Sequence, residues 1–178
     1  FDIVYIDAAS GHRSAAFALQ KALIHQSDQN EVHVVNLPEL LAPLPWFHFI
    51  VKTGISVFND AIKKDKFLDL GGLINLSLLF TNLVRPKGIK KISDFWKRIN
   101  PDIIISVTPM YNPVLYKSAL LINPNIEYFT IPVDFQERKL NYWFNKNLPI
   151  NYILGTEYLL QRANYLNINP NSIFRVSG

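Results

Sequence analysis

Ile3-Val4-Tyr5-Ile6, then Ser10-Gly11-His12-Arg13-Ser14, then Ala15 to His25, then Val32 to Val35: this opening run decides the fold. The first four residues are apolar without alternation, as expected of a strand buried on both faces of a parallel sheet. The small and polar residues from Ser10 to Ser14 interrupt that run. Ala16, Leu19 and Leu23 then recur at helical spacing, with Phe17 and Ile24 beside them, and predict a helix over 15–25. Val32 to Val35 reads as a second strand. Strand, short loop, helix, strand is a βαβ unit, which requires a parallel sheet.

The same alternation returns in the second half. Strands are predicted at 103–107, 128–133, 152–154 and 173–176, with helices at 114–122 and 157–166. The whole is an α/β chain: a Rossmann-like, mostly parallel sheet with helices on both faces. Residues 38–100 break the pattern and show no clear strand, so a helical insert is expected there. Within it, Trp46, Phe47, Phe49 and Ile50 fall close together, and the stretch 67–84 carries a single charge, Asp69. Gly71, Gly72, Asn75, Ser77, Thr81 and Asn82 make that stretch too polar for a transmembrane helix, which wants ~20 apolar residues. A buried or interfacial helix is the expectation.

Composition narrows the function classes. Hydrophobic residues are 49% and charged residues 18% of the 178, which excludes disorder and coiled coil. With no cysteine, disulfides and thiol catalysis are excluded. The net charge of +4 suits an anionic substrate or lipid and falls short of a nucleic-acid-binding profile. The chain starts at Phe1 and ends at Gly178, and is expected to be a piece of a longer protein with no signal peptide at its start.

In an open α/β sheet, ligands bind outside the carboxyl ends of the strands. Asp7 and Ser10 to Arg13 follow the first strand, Thr108 and Pro109 the Ile103 strand, Asp134 the Tyr128 strand, and Gly155 to Glu157 the Tyr152 strand. His12, Asp134 and Glu157 are thereby brought to one edge. His12, at a helix head beside a glycine, is either a general base working near neutral pH or a histidine that merely caps the helix. Asp134 either orients that imidazole, acts as base itself, or closes an Asx turn. Ser10 to Arg13 can also cradle a phosphate at the helix N-terminus, although this is no P-loop and lacks the full dinucleotide glycine fingerprint. No His, Asp or Glu cluster has metal-ligand spacing, so no metal and no cofactor are expected. His25, His33 and His48 are isolated in the sequence and read as surface or core residues.

Four segments, in order, resemble the N-terminal domain of the monogalactosyldiacylglycerol synthase family, glycosyltransferases of the two-domain GT-B fold. The first is Asp7-Ala8-Ala9-Ser10-Gly11-His12-Arg13-Ser14-Ala15, after an apolar strand. The second is the aromatic approach from Trp46 and Phe47 to Val51-Lys52-Thr53-Gly54. The third is Pro101 to Val107 followed by Pro109, and the fourth is Thr130 and Asp134 with Trp143 downstream. Val176-Ser177-Gly178 resembles the start of the family's interdomain link. Ala9 and Ser10 stand where the family has glycines, Thr108 where it has histidine, and Lys139 and Leu140 near another of its histidines.

The resemblance implies that 1–178 is an acceptor-binding domain, with an insert at about 38–100 and the donor domain outside the chain. The full enzyme would move a sugar from a UDP-sugar to diacylglycerol with inversion. His12 and Asp134 would be catalytic, with Ser10, Gly11, Arg13, Trp46, Phe47 and Pro109 at the acceptor. Arg85, Lys87, Lys90 and Lys91, after the apolar stretch, are expected to meet an anionic membrane surface, which makes the protein cytoplasmic and peripheral. A non-catalytic lipid- or partner-binding module of the same fold is the alternative, because fold alone does not decide function.

Overall fold

The computed structural model describes residues 1–6, 11–41, 86–134 and 141–176. Six strands form one all-parallel sheet: β1 (Asp2–Tyr5), β2 (His33–Asn36), β3 (Ile103–Ser106), β4 (Glu127–Thr130), β5 (Asn151–Leu154) and β6 (Ile173–Arg175). Their order across the sheet is β2-β1-β3-β4-β5-β6. The helices are α1 (Gly11–Gln26), α2 (Leu37–Leu41), α3 (helical over 86–99), α4 (Asn112–Leu120) and α5 (Glu157–Tyr165), with a 3₁₀ turn at Pro170–Ser172. This is the Rossmann-like α/β architecture that the sequence predicts.

Alternation along the strands sorts the core into two layers. Ile3 and Tyr5 of β1 and Ile105 of β3 face α1, whose Ala16 is wholly buried against them. Val4, Ile6 and Ile104 face the other way, into a larger core with Trp96 of α3, Leu115 of α4 and Leu159 and Ala163 of α5. Helices therefore cover both faces. Fully burying a large apolar side chain contributes about 1.5–3 kcal/mol, and Trp96, Trp143, Tyr128 and Tyr152 are among the largest buried here.

Local chemistry sets the element ends. Thr156, extended at φ −136°, caps α5 by accepting the Leu159 N–H at 3.2 Å. Pro113 sits in the first turn of α4, where its missing N–H removes no helical bond. The strand predicted at 128–133 spans Glu127–Thr130 instead. Pro132, with no N–H to give a ladder, stands just beyond it. Likewise α4 starts at Asn112, two residues earlier than the apolar pattern indicates, because the proline belongs to its first turn.

Of the expected insert, 38–41 and 86–100 are described and contain no strand. Residues 42–85, with Trp46, Phe47, the 67–84 stretch and Arg85, lie outside the described residues, as do Asp7 and Ser10. Among the described residues no helix is long and apolar enough to cross a membrane.

The chain topology creates one switch point. From β1 the chain goes through α1 to β2 on one side, while β3 and every later strand lie on the other. Where neighbouring strands send their connections in opposite directions, a crevice opens at their carboxyl ends. Here those strands are β1 and β3, paired in register from Asp2–Ile104 to Val4–Ser106.

Candidate functional site

His12 lies in the first turn of α1 and reaches back over this crevice. Its Nδ1 is 2.9 Å from the carbonyl oxygen of Val107, the residue that follows β3. A carbonyl only accepts, so Nδ1 carries the proton and donates, and the neutral ring leaves Nε2 bare. The imidazole side chain is 12% exposed, and burial holds its pKa below the ordinary histidine value, against the opposing pull of Asp134 and Val107. The ring is therefore neutral at physiological pH with a free lone pair.

That lone pair faces Asp134. Nε2 and Asp134 Oδ2 are 3.7 Å apart, with Asp134 44% exposed. The gap is too long for a direct hydrogen bond. It is short enough for a charge interaction of about 1–4 kcal/mol once the imidazole is protonated, toward the lower figure because solvent reaches the carboxylate. Asp134 is thus placed to stabilise an imidazolium as it forms. The contact that fixes the tautomer is the Val107 carbonyl, on the other ring nitrogen from Asp134.

The other carboxylate oxygen is held from behind. The indole N–H of Trp143 donates to Asp134 Oδ1 at 2.5 Å, and the Trp143 ring lies 5.9 Å from the His12 ring. Trp143 has no exposed surface. The Met110 backbone N–H donates to the Tyr142 carbonyl at 2.7 Å, tying the turn after β3 to the segment that carries Trp143. Met110 makes this bond in the left-handed region, φ 65°, which is uncommon for a residue with a side chain.

The remaining candidates divide. Gly11 opens α1 with none of the described residues within 4 Å of where a Cβ would stand. Arg13 is exposed and lays its guanidinium 5.9 Å over the Phe17 ring, along the helix. Thr108 and Pro109 are buried in the turn after β3, and the Pro109 carbonyl accepts the Tyr111 N–H at 2.7 Å. Glu157 pairs with Arg175 at 3.2 Å instead of joining His12. Lys87 is exposed, Lys90 is ion-paired with Asp94 at 2.9 Å, and Lys91 is half-buried. No group of three His, Cys, Asp or Glu suited to a metal ion occurs among the described residues.

A cavity of about 420 Å³ opens elsewhere, between the 141–147 segment and the end of α5, with Lys146, Asn147, Tyr165 and Asn167 in its lining. Neither His12 nor Asp134 reaches it, and it lacks a carboxylate or imidazole for acid–base work.

Comparison with family models, with curated proteins and with solved structures finds no match to the chain.

Proposed function

We propose that this chain is the acceptor-binding domain of an inverting glycosyltransferase, with the UDP-sugar held by a second domain and diacylglycerol as the acceptor. The observation that carries the reading is the bare Nε2 of a neutral, tautomer-locked His12 at the switch-point crevice. An acceptor hydroxyl in that crevice gives its proton to Nε2 as its oxygen attacks the sugar. The Asp134 carboxylate stabilises the imidazolium, and UDP leaves from the opposite face of the sugar. The net charge of +4 favours approach to an anionic membrane, where such an acceptor resides. In this reading the protein works at the cytoplasmic membrane surface, with Lys87 and Lys90 as exposed members of the basic group.

The test is sugar transfer by the full-length protein from UDP-galactose or UDP-glucose to dispersed diacylglycerol. At saturating donor, His12→Ala is expected to lower turnover by ~10²–10⁴-fold, the usual contribution of a general base. Turnover within a few-fold of the wild type would remove His12 from the mechanism. Lipid binding with no transfer to either product would favour the non-catalytic module.

A further inference from the structure

We infer that Trp143 is a positioning residue: its indole N–H holds the Asp134 carboxylate so that Oδ2 is turned toward His12 Nε2, and the left-handed turn at Met110 holds Trp143 in place. The inference rests on the reading of His12 as the base and assigns a role that neither His12 nor Asp134 supplies.

Asp134 is 44% exposed, so an unheld carboxylate there would rotate into water. One short charge-assisted bond, Trp143 Nε1–H to Oδ1 at 2.5 Å, removes that freedom. The two oxygens then divide their work, with Oδ1 satisfied by the indole and Oδ2 left at 3.7 Å from Nε2. The indole is itself fixed. It is wholly buried, it packs 6.4 Å from the Tyr142 ring, and the adjoining Tyr142 carbonyl is bonded to Met110. Strained backbone persists where surrounding contacts over-determine it, and Met110 at φ 65° is such a position, two residues beyond buried Thr108. The bond thus links the turn after β3 to the loop after β4, and Asp134 inherits its orientation from both.

The test reads the His12 ring by NMR as a function of pH in the whole chain, and needs no sugar transfer. Among the described residues Asp134 is the charged group that acts on this ring, and it raises the midpoint. Asp134→Asn is expected to lower it. Trp143→Phe keeps an aromatic ring, removes the N–H, and is expected to lower the midpoint in the same direction. The double variant should fall no further than Asp134→Asn alone, because both changes remove one interaction. A folded Trp143→Phe chain with an unmoved midpoint, or a double variant with additive shifts, would overturn the proposal. Should Trp143→Phe fail to fold, the indole N–H resonance of Trp143 is followed in Asp134→Ala. It is expected to move upfield and exchange faster, and an unchanged resonance overturns the assignment. Transfer activity with an unmoved midpoint counts against the positioning role alone, whereas lost transfer with the expected shifts counts against the glycosyltransferase reading alone.

Discussion

Two histidine–aspartate pairs sit at opposite ends of the same sheet, and they are built in opposite senses. At the carboxyl end, His12 is nearly buried, Asp134 is half-exposed, and the two stand 3.7 Å apart without a hydrogen bond. At the amino end, Asp2 has no exposed surface, His33 is 41% exposed, and Nδ1 meets Oδ1 at 3.1 Å. His33 Nε2 also reaches Glu31 at 3.2 Å. Burial raises the Asp2 carboxyl above the ordinary range, and the His33 bond and charge oppose that rise. The amino-end pair is directly bonded through Oδ1, with Asp2 Oδ2 buried and without a hydrogen-bond partner among the described residues, and it joins β1 to β2 at their first register position, Asp2–His33. The carboxyl-end pair leaves an unused lone pair and an unused oxygen facing each other. The difference separates a pair bonded across two strands from one that stands apart, with the imidazole buried and the carboxylate open to solvent.

The contrast can be broken most sharply by exchanging the two histidines' fates. His12→Gln should lower turnover by ~10²–10⁴-fold, while His33→Gln leaves it within about twofold in the folded fraction. The acid side of the wild-type profile sharpens the point. Burial depresses the His12 pKa, so the active neutral form persists below the usual ~6.5, and kcat/KM should decline only under that value. The sign carries over to stability. The unfolded chain binds the His12 proton more readily than the native one, so this residue makes native stability fall as pH drops through ~6.5 to the depressed value. Chemical denaturation of His12→Gln between those limits should show a flatter pH dependence than the wild type.

Next in size is the amino-end pair. His33→Ala leaves a wholly buried carboxylate without its partner and should cost about 1–3 kcal/mol near neutral pH, toward the lower end because the lost imidazole is partly solvated. Because the folded pKa of Asp2 is raised, the stability associated with its protonated form is present at low pH and lost as pH rises through that value. Urea denaturation should therefore find the His33→Ala penalty largest near neutrality and shrinking in acid. A penalty independent of pH would contradict the pairing.

Much of this was legible in the residues, and the reasons differ for what was not. The β-branched runs at Ile3 and Ile103 carry the two strands that flank the switch point, and His12, after β1, and Asp134, after β4, fall at the same carboxyl edge of the sheet. The partner that fixes the tautomer is a backbone carbonyl 95 residues away, and a main-chain acceptor leaves no mark in a side-chain pattern. Trp143 is conspicuous as a residue, yet the direction of its N–H depends on the Met110–Tyr142 bond, a long-range backbone contact. His33 looks isolated along the chain and gains Asp2 only through strand register, 31 residues apart. Periodicity reports which face a residue occupies, and it is silent on what lies opposite across the sheet.

The smallest expected effect belongs to Gly11. An added Cβ meets none of the described residues within 4 Å and the residue has no positive φ, so Gly11→Ala should change stability by less than about 1 kcal/mol in thermal melts. A selective rise in KM at unchanged stability would show that the acceptor approaches the backbone there. A loss of several kcal/mol would mean the turn into α1 needs glycine for the fold itself.

The most direct test of the account is the tautomer of His12. Long-range ¹H–¹⁵N correlation of the imidazole near pH 7.5 reports which ring nitrogen carries the proton. The bond to Val107 predicts a protonated Nδ1 and a bare Nε2. A ring protonated on Nε2, or on both nitrogens at that pH, would contradict the assignment of His12 as a base poised at the switch point.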